Sequence, residues 1–251
     1  EGETIVESYD KVVIATGSVP ISPKVPGRDL KNIHFLKKFQ DGQTVDKELA
    51  SEDVKNVAVI GAGYIGVEIA EAAKRRGKNV LLFDAATRAL PNYYDKWFTE
   101  DMDKNLADNG IELHFGELAP EYKGTEKVEA VVTDNGEYPV DLVINAIGFL
   151  PNNELGKDHL ELFANGAYLV DRHQRTSDAD VYAVGDCATV YSNALQQTTY
   201  IALATNAVRS GIVAAHNIGG TSLESTGVQG SNGISIFGYN MVSTGLSVEA
   251  A

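Results

Sequence analysis

Between residues 57 and 84 a short apolar run leads into Gly61, Gly63 and Gly66 at the spacing GxGxxG. An amphipathic stretch then ends at Gly77, a second apolar run follows, and Asp84 closes it. Glycines so spaced act through the backbone. Gly61 permits a sharp turn after a strand, Gly63 lets amides approach a pyrophosphate, and Gly66 lets the next helix pack close to the strand. The phosphates then lie at the positive end of that helix. Asp84 stands at the spacing from the first glycine at which a carboxylate accepts hydrogen bonds from ribose hydroxyls. A 2′-phosphate there would bring like charges together, so the pattern favours NADH over NADPH. Arg88 tempers this slightly, because a nearby arginine can accept that phosphate.

Little else offers chemistry by spacing. His34, His114, His159, His173 and His216 are scattered without ligand spacing, so no metal site is expected. Ser18 and Ser210 have no histidine partner that would make a nucleophile. The single cysteine, Cys187, excludes an internal disulfide, a CxxC pair and a cysteine-rich metal site, and reads as a small buried residue. Glu100, Asp101 and Asp103 read as the solvated face of a helix.

The elements that must position the glycine motif follow from periodicity. Strand, helix, strand, helix and strand are predicted over residues 57–60, 64–76, 80–83, 94–109 and 111–115, an alternation that points to a parallel sheet covered by helices. Residues 128–133 and 137–140 flank Asp134-Asn135-Gly136, a hairpin signal, and the apolar run 142–147 reads as a buried strand returning to the parallel sheet. Outside this region a strand is predicted at 12–15, a crossing segment over 23–56 with a short helix near 45–51, strands at 167–170 and 181–184, and a helix over 200–218 closed by Gly219-Gly220. The last thirty or so residues form apolar strand-like segments (Ile234, Ile236, Phe237, Met241, Val242, Leu246) with little chain left to cover them.

Composition bounds the function. A chain of 251 residues with 43% apolar residues can bury a substantial core. There is no apolar run long enough for a membrane span and no basic, apolar leader at the start, so a soluble, cytoplasmic protein is expected. A net charge of −14 argues against a nucleic-acid partner, whose phosphates need clustered Lys and Arg.

Several further segments resemble one family, the pyridine nucleotide–disulfide oxidoreductases. YDKVVIATGSVP from Tyr9 resembles their second flavin motif, DVYAVGDCA from Asp180 their last, and NAIGFLPN from Asn145 the strand end that closes the dinucleotide site. The resemblance implies an α/β fold: a Rossmann-like NAD domain, parallel sheet plus antiparallel meander, inserted in a partial FAD-binding α/β domain. It implies residues 1–50 and 151–220 for the partial FAD-binding domain with its connector, 51–150 for the NAD(H)-binding domain, and 221–251 for the start of a carboxy-terminal interface domain. Cofactors are then NAD(H) and FAD. Thr16, Gly17, Gly185 and Asp186 fall to the flavin, with Asp186 on its ribityl chain and the helix from Tyr200 aimed at its ring; Gly148 falls to the dinucleotide site. Tyr64 resembles the aromatic gate that covers the flavin until nicotinamide displaces it, and Glu68, expected in the first turn of the same helix, the acid at the nicotinamide end.

Within the family, the segments from Tyr200 and from Gly227 look most like bacterial NADH oxidases that reduce oxygen to water. That implies NADH as donor, oxygen or peroxide as acceptor and a homodimer for the full-length enzyme. NADH peroxidase and coenzyme A disulfide reductase are alternatives on the same scaffold, and a reductase for a small iron–sulfur protein is a weaker one. The family's first flavin fingerprint and its redox cysteine are absent, and Cys187 does not replace the latter. The chain is therefore read as an internal portion of a longer enzyme. By itself it is expected to be either a crippled oxidoreductase or a non-catalytic module that binds NADH.

Overall fold

The computed structural model describes residue 2 and residues 4–251. In chain order, β1 (Val12–Ile14) and β2 (Ser18–Pro20) precede β3 (Ile33–Phe35), α1 (Phe39–Ala50), β4 (Asn56–Ile60), α2 (Tyr64–Arg75) and β5 (Asn79–Asp84). Next come α3 (Lys96–Asp108), β6 (Ile111–Phe115), β7 (Glu121–Gly124), β8 (Val128–Thr133), β9 (Gly136–Pro139) and β10 (Leu142–Asn145). The chain continues through β11 (Phe149–Pro151), β12 (Val181–Ala183), β13 (Val190–Ser192), β14 (Gln197–Thr199), α4 (Ala204–Ile218), β15 (Asn232–Ile236) and β16 (Tyr239–Ser243). It divides into two compact units, Glu1–Val19 with Leu150–Ser231, and Pro20–Phe149 with Asn232–Ala251.

The second unit is built on a five-stranded sheet in the order β3-β10-β4-β5-β6, parallel in the described pairings. Alternation along each strand feeds two cores. Val57, Val59, Val80, Leu82, Leu142 and Ile144 pack with Val67, Ala70 and Ala73 of α2 and Met102 and Leu106 of α3. Their neighbours Ala58, Ile60, Leu81, Phe83 and Val143 pack with Tyr122, Val128 and Val131 of the meander β7-β8-β9. Burying each Val, Leu or Ile stabilises by roughly 1.5–3 kcal/mol, so neither face of the sheet tolerates a one-residue slip. The chain leaves β4 toward β5 on one side, whereas β10 and β3 lie on the other. That reversal opens a crevice at the carboxyl ends of the strands, where ligands of such sheets bind.

Two elements of this unit differ from expectation. Residues 23–56 carry no regular strand signal, yet Ile33–Phe35 forms the edge strand beside β10, and the helix predicted near 45–51 starts at Phe39. A three-residue edge strand is too short to show period-two alternation, so pairing rather than pattern defines it. The apolar tail is also covered in part, Val242 and Leu246 remaining exposed. β15 and β16 form a hairpin across Phe237 and Gly238, both at positive φ, and the pairing turns Ile234, Ile236 and Met241 into the core while Val242 stays 84% exposed.

In the first unit β1 pairs with β12 in parallel, Val12 opposite Val181 and Ile14 opposite Ala183. Cys187 is fully buried there with Ile14, Tyr168 and Ala183. The strand predicted at 167–170 reduces to isolated bridges from Tyr168, whose hydroxyl is drawn to the Asn153 carbonyl at 3.0 Å and the Gly156 amide at 2.9 Å. The helix predicted from Tyr200 begins at Ala204, because the Tyr200 hydroxyl donates to the Asp186 carbonyl at 2.8 Å and Asn206 donates to the Ile201 carbonyl at 3.1 Å, holding the approach extended. No helix among the described residues is long and apolar enough to cross a membrane.

Candidate dinucleotide site and half of a flavin site

The glycine turn owes its shape to sterics at two positions. Gly61 has φ of 104°, and a Cβ there would stand 2.5 Å from the Ala146 carbonyl oxygen at the end of β10. A Cβ on Gly66 would stand 1.7 Å from the Gly61 carbonyl oxygen, so the start of α2 lies directly against the turn. Around Gly63, by contrast, a Cβ would meet nothing within 4 Å. Gly63 is also the N-cap of α2 and supplies no side-chain cap. The result is an open cradle lined by first-turn amides, with no acidic residue in that turn to compete for them. Its shape fits a pyrophosphate.

Asp84 is tied to the same turn. Its Oδ2 accepts the Ala62 amide at 2.6 Å and its Oδ1 accepts the Ala86 amide at 2.7 Å. A carboxylate offers about four acceptor positions, so each oxygen retains capacity for a ribose hydroxyl. The Leu90 amide donates to the Ala62 carbonyl at 2.9 Å, so the Ala62 peptide is held from both sides by the segment that leaves β5. Asp103 of α3 holds that segment too, accepting the Ala89 amide at 3.0 Å. The residue is thus not on a freely solvated helix face, and burial pushes its pKa up to about 6. Arg88 is 2.6 Å from Glu249, and its side chain is 16% exposed. It is committed to a carboxylate rather than free for a 2′-phosphate.

Tyr64 and Glu68 both stand on α2. Tyr64 is its first residue, half-buried, with its ring edge-on to Tyr93 at 4.5 Å between centroids. Burial first, then the hydrogen bond with Tyr94, drives its hydroxyl pKa far upward, so the phenol stays protonated. Glu68 is exposed and, as the fifth residue of a helix that begins at Tyr64, lies just beyond the first turn where it was expected. Desolvation and then Glu71 raise its pKa. Gly148, with φ of 102°, follows β10 and accepts the Ile21 amide at 3.0 Å, and Ala146 beside it donates to the Ile60 carbonyl at 2.7 Å. Sequence reasoning missed Tyr94 and Asn232, read Asp103 as solvated, and marked Asn145 only as the start of a segment resembling a strand end. Asn145 is buried with Oδ1 bonded to the Tyr122 hydroxyl at 2.7 Å and Nδ2 without a partner. Only the adjacent tyrosines 93 and 94 gave a signal, an aromatic pair before a polar helix.

The first unit brings Thr16, Gly17, Gly185 and Asp186 together at the ends of β1 and β12. Thr16 Oγ1 donates to the Asn152 carbonyl at 2.5 Å, and the Asn152 amide returns to the Gly17 carbonyl at 2.9 Å. Gly185, at φ of 74°, donates its amide to Ser210 Oγ of α4 at 3.0 Å, and Asp186 Oδ2 accepts from Ser18 Oγ at 3.2 Å. Open space over Gly17 and a half-buried carboxylate at Asp186 fit one edge of a polyhydroxylated cofactor such as FAD.

The chain is similar to known proteins over nearly its whole length. The family model described as pyridine nucleotide-disulphide oxidoreductase matches residues 1–211. An NADH oxidase of Lactococcus lactis subsp. cremoris is 68% identical over 251 residues, covering 99% of this chain and 56% of the relative. An NADH oxidase of Streptococcus pyogenes is 53% identical over 262 residues, covering 100% of this chain and 58% of the relative. The solved water-forming NADH oxidase from Lactobacillus brevis bound to NADH superimposes with a TM-score of 0.93 at 39% identity, covering 98% of this chain and 54% of that one. The chain spans about half the length of the curated relatives it matches.

Proposed function

Since the chain belongs to the pyridine nucleotide–disulphide oxidoreductase family, we propose that it is the NADH-binding portion, with half of the flavin site, of a flavoenzyme that oxidises NADH and reduces oxygen. The open cradle over Gly63, with Asp84 bonded to its rim, carries the nucleotide half of this reading. The α2 amides hold the pyrophosphate and Asp84 holds the adenosine ribose, which together fix where the nicotinamide end of NADH can reach. Gly148 borders the same site. Tyr64 acts as the gate that nicotinamide displaces, and Glu68 contacts the nicotinamide end. Thr16, Gly17, Gly185 and Asp186 hold the flavin, Asp186 through its ribityl hydroxyls. FAD, when bound, supplies the hydride acceptor and the route by which electrons reach oxygen.

The NADH oxidases among the relatives and the NADH in the L. brevis structure support oxygen as acceptor and NADH as donor. A whole enzyme of this kind is proposed to be a cytoplasmic homodimer. Comparing oxygen, hydrogen peroxide and coenzyme A disulfide as acceptors for the full-length protein tests the assignment. Turnover with oxygen is expected; turnover only with peroxide or the disulfide would move the enzyme to a peroxidase or disulfide reductase. Titrating NADH and NADPH against the 251-residue chain should show tighter NADH binding, and equal affinities would remove the nucleotide preference.

A further inference from the structure

Tyr64 is bound at its hydroxyl by two residues from distant parts of the second unit. It donates to Oδ1 of Asn232 on β15 and lies 2.7 Å from the Tyr94 hydroxyl. Because Asn232 Oδ1 only accepts, Tyr64 must be the donor there, which leaves Tyr94 as the donor between the two phenols. Both partners are themselves fixed. Asn232 Oδ1 also accepts from Ser243 Oγ at 3.1 Å, and Tyr94 is 3% exposed; with its one proton directed to Tyr64, its oxygen only stands near the Met241 carbonyl, 3.4 Å away. The Tyr64 phenol is therefore satisfied as donor and as acceptor, and the edge of Tyr93 restrains its ring.

We propose that Tyr94 and Asn232 are positioning residues that latch Tyr64 in its nucleotide-free place, so that NADH must break this pair of hydrogen bonds to seat its nicotinamide. The inference rests on the reading of Tyr64 as the gate. A latch of this kind opposes the nicotinamide end of NADH alone. ADP-ribose, which has the adenosine and pyrophosphate without nicotinamide, need not disturb it.

The two ligands therefore separate a latch from general support of the fold. Dissociation constants for NADH and ADP-ribose are measured on the 251-residue chain carrying Tyr64→Ala, Tyr94→Phe, Asn232→Ala or Asn232→Asp. Losing one neutral hydrogen bond from the latch should tighten NADH about two- to ten-fold in Tyr94→Phe and Asn232→Ala, with ADP-ribose unchanged. Asn232→Asp keeps the acceptor and makes it charged, so it should hold the phenol at least as firmly and bind NADH no tighter than wild type. If Tyr64→Ala alters the ratio of the two affinities while Tyr94→Phe and Asn232→Ala leave it unchanged, the latch is wrong and the gate stands. If Tyr64→Ala also leaves the ratio unchanged, the gate reading fails and the latch with it. Equal shifts for both ligands in Tyr94→Phe and Asn232→Ala would reduce these residues to structural support.

Discussion

In the proposed complex Asp84 carries two duties with one carboxylate. It accepts the Ala62 amide and so shapes the glycine turn, and its remaining acceptor capacity faces the ribose in the proposed complex. Asp84→Ala should therefore weaken NADH about ten-fold or more while changing NADPH much less, since hydrogen bonds to a charged group are worth about 1.5–3 kcal/mol each. Fluorescence titration of both nucleotides reads this, and an unchanged preference would remove Asp84 from the ribose site. Gly61 tests the turn itself. With φ of 104° and the Ala146 oxygen 2.5 Å from any Cβ, Gly61→Ala should cost roughly 1–3 kcal/mol of stability and reduce nucleotide binding. Urea unfolding checks the first effect, and a wild-type midpoint would show that the strand ends separate freely. The need for glycine here was legible from spacing; the atom that enforces it was not, because Ala146 comes from another strand.

At the scale of elements, α3 does more than cover the sheet. Through Asp103 it holds the segment leaving β5, and the carboxyl, buried and only partly offset by the Ala89 amide and Arg88, has a pKa of about 6. Folding thus favours the protonated acid: its contribution is fully present below the unfolded value of about 3.9 and is lost as pH rises through about 6. Asp103→Asn does not titrate, so its stability relative to wild type should improve by roughly 1–2 kcal/mol between about pH 4 and pH 7.5. Denaturant midpoints at the two pH values would refute this if the curves for both proteins moved in parallel. Long periodic elements were readable in the sequence: β4, α2, β5 and β6 lie within a residue of their predicted bounds. Of the short ones, β1, β9, β10 and β12 were marked by an apolar run or a hairpin turn, and the rest were not. β2, β3, β7, β11, β13 and β14 have three or four residues each, too few for alternation to register, and they exist because a partner strand is present.

For the molecule as a whole, the proposed flavin site rests on Thr16, Gly17, Gly185 and Asp186 of the first unit, with no second glycine fingerprint in the 251 residues, and so amounts to one edge of a site. The purified chain should accordingly bind NADH and lack a stoichiometric yellow flavin band. A full band in the absorbance spectrum would mean that these residues suffice to hold FAD. The apolar hairpin β15 and β16, by contrast, is not left bare: Ile236 is 0% exposed in the core of the second unit. Its burial follows from the two-residue turn, which sets the register and hence the face that each side chain takes.

The segments given to a flavin were read by resemblance, whereas the glycine turn and the strand–helix–strand unit around it were legible in the chain alone. Those signals are local: a positive φ, a helix packed against its own preceding strand, and periods of 2 and 3.6 residues all act within a few positions of the chain. What surrounds Gly61, Arg88, Asp84 and Tyr64 is set by contacts between remote parts of the chain. Arg88 meets Glu249 across 161 positions and Tyr64 meets Asn232 across 168, distances at which no pattern in the chain marks a partner. The glycine motif was fixed by what each backbone unit can do alone, whereas the latch on Tyr64 exists because folding brings three remote polar groups to one point and leaves each hydrogen bond satisfied.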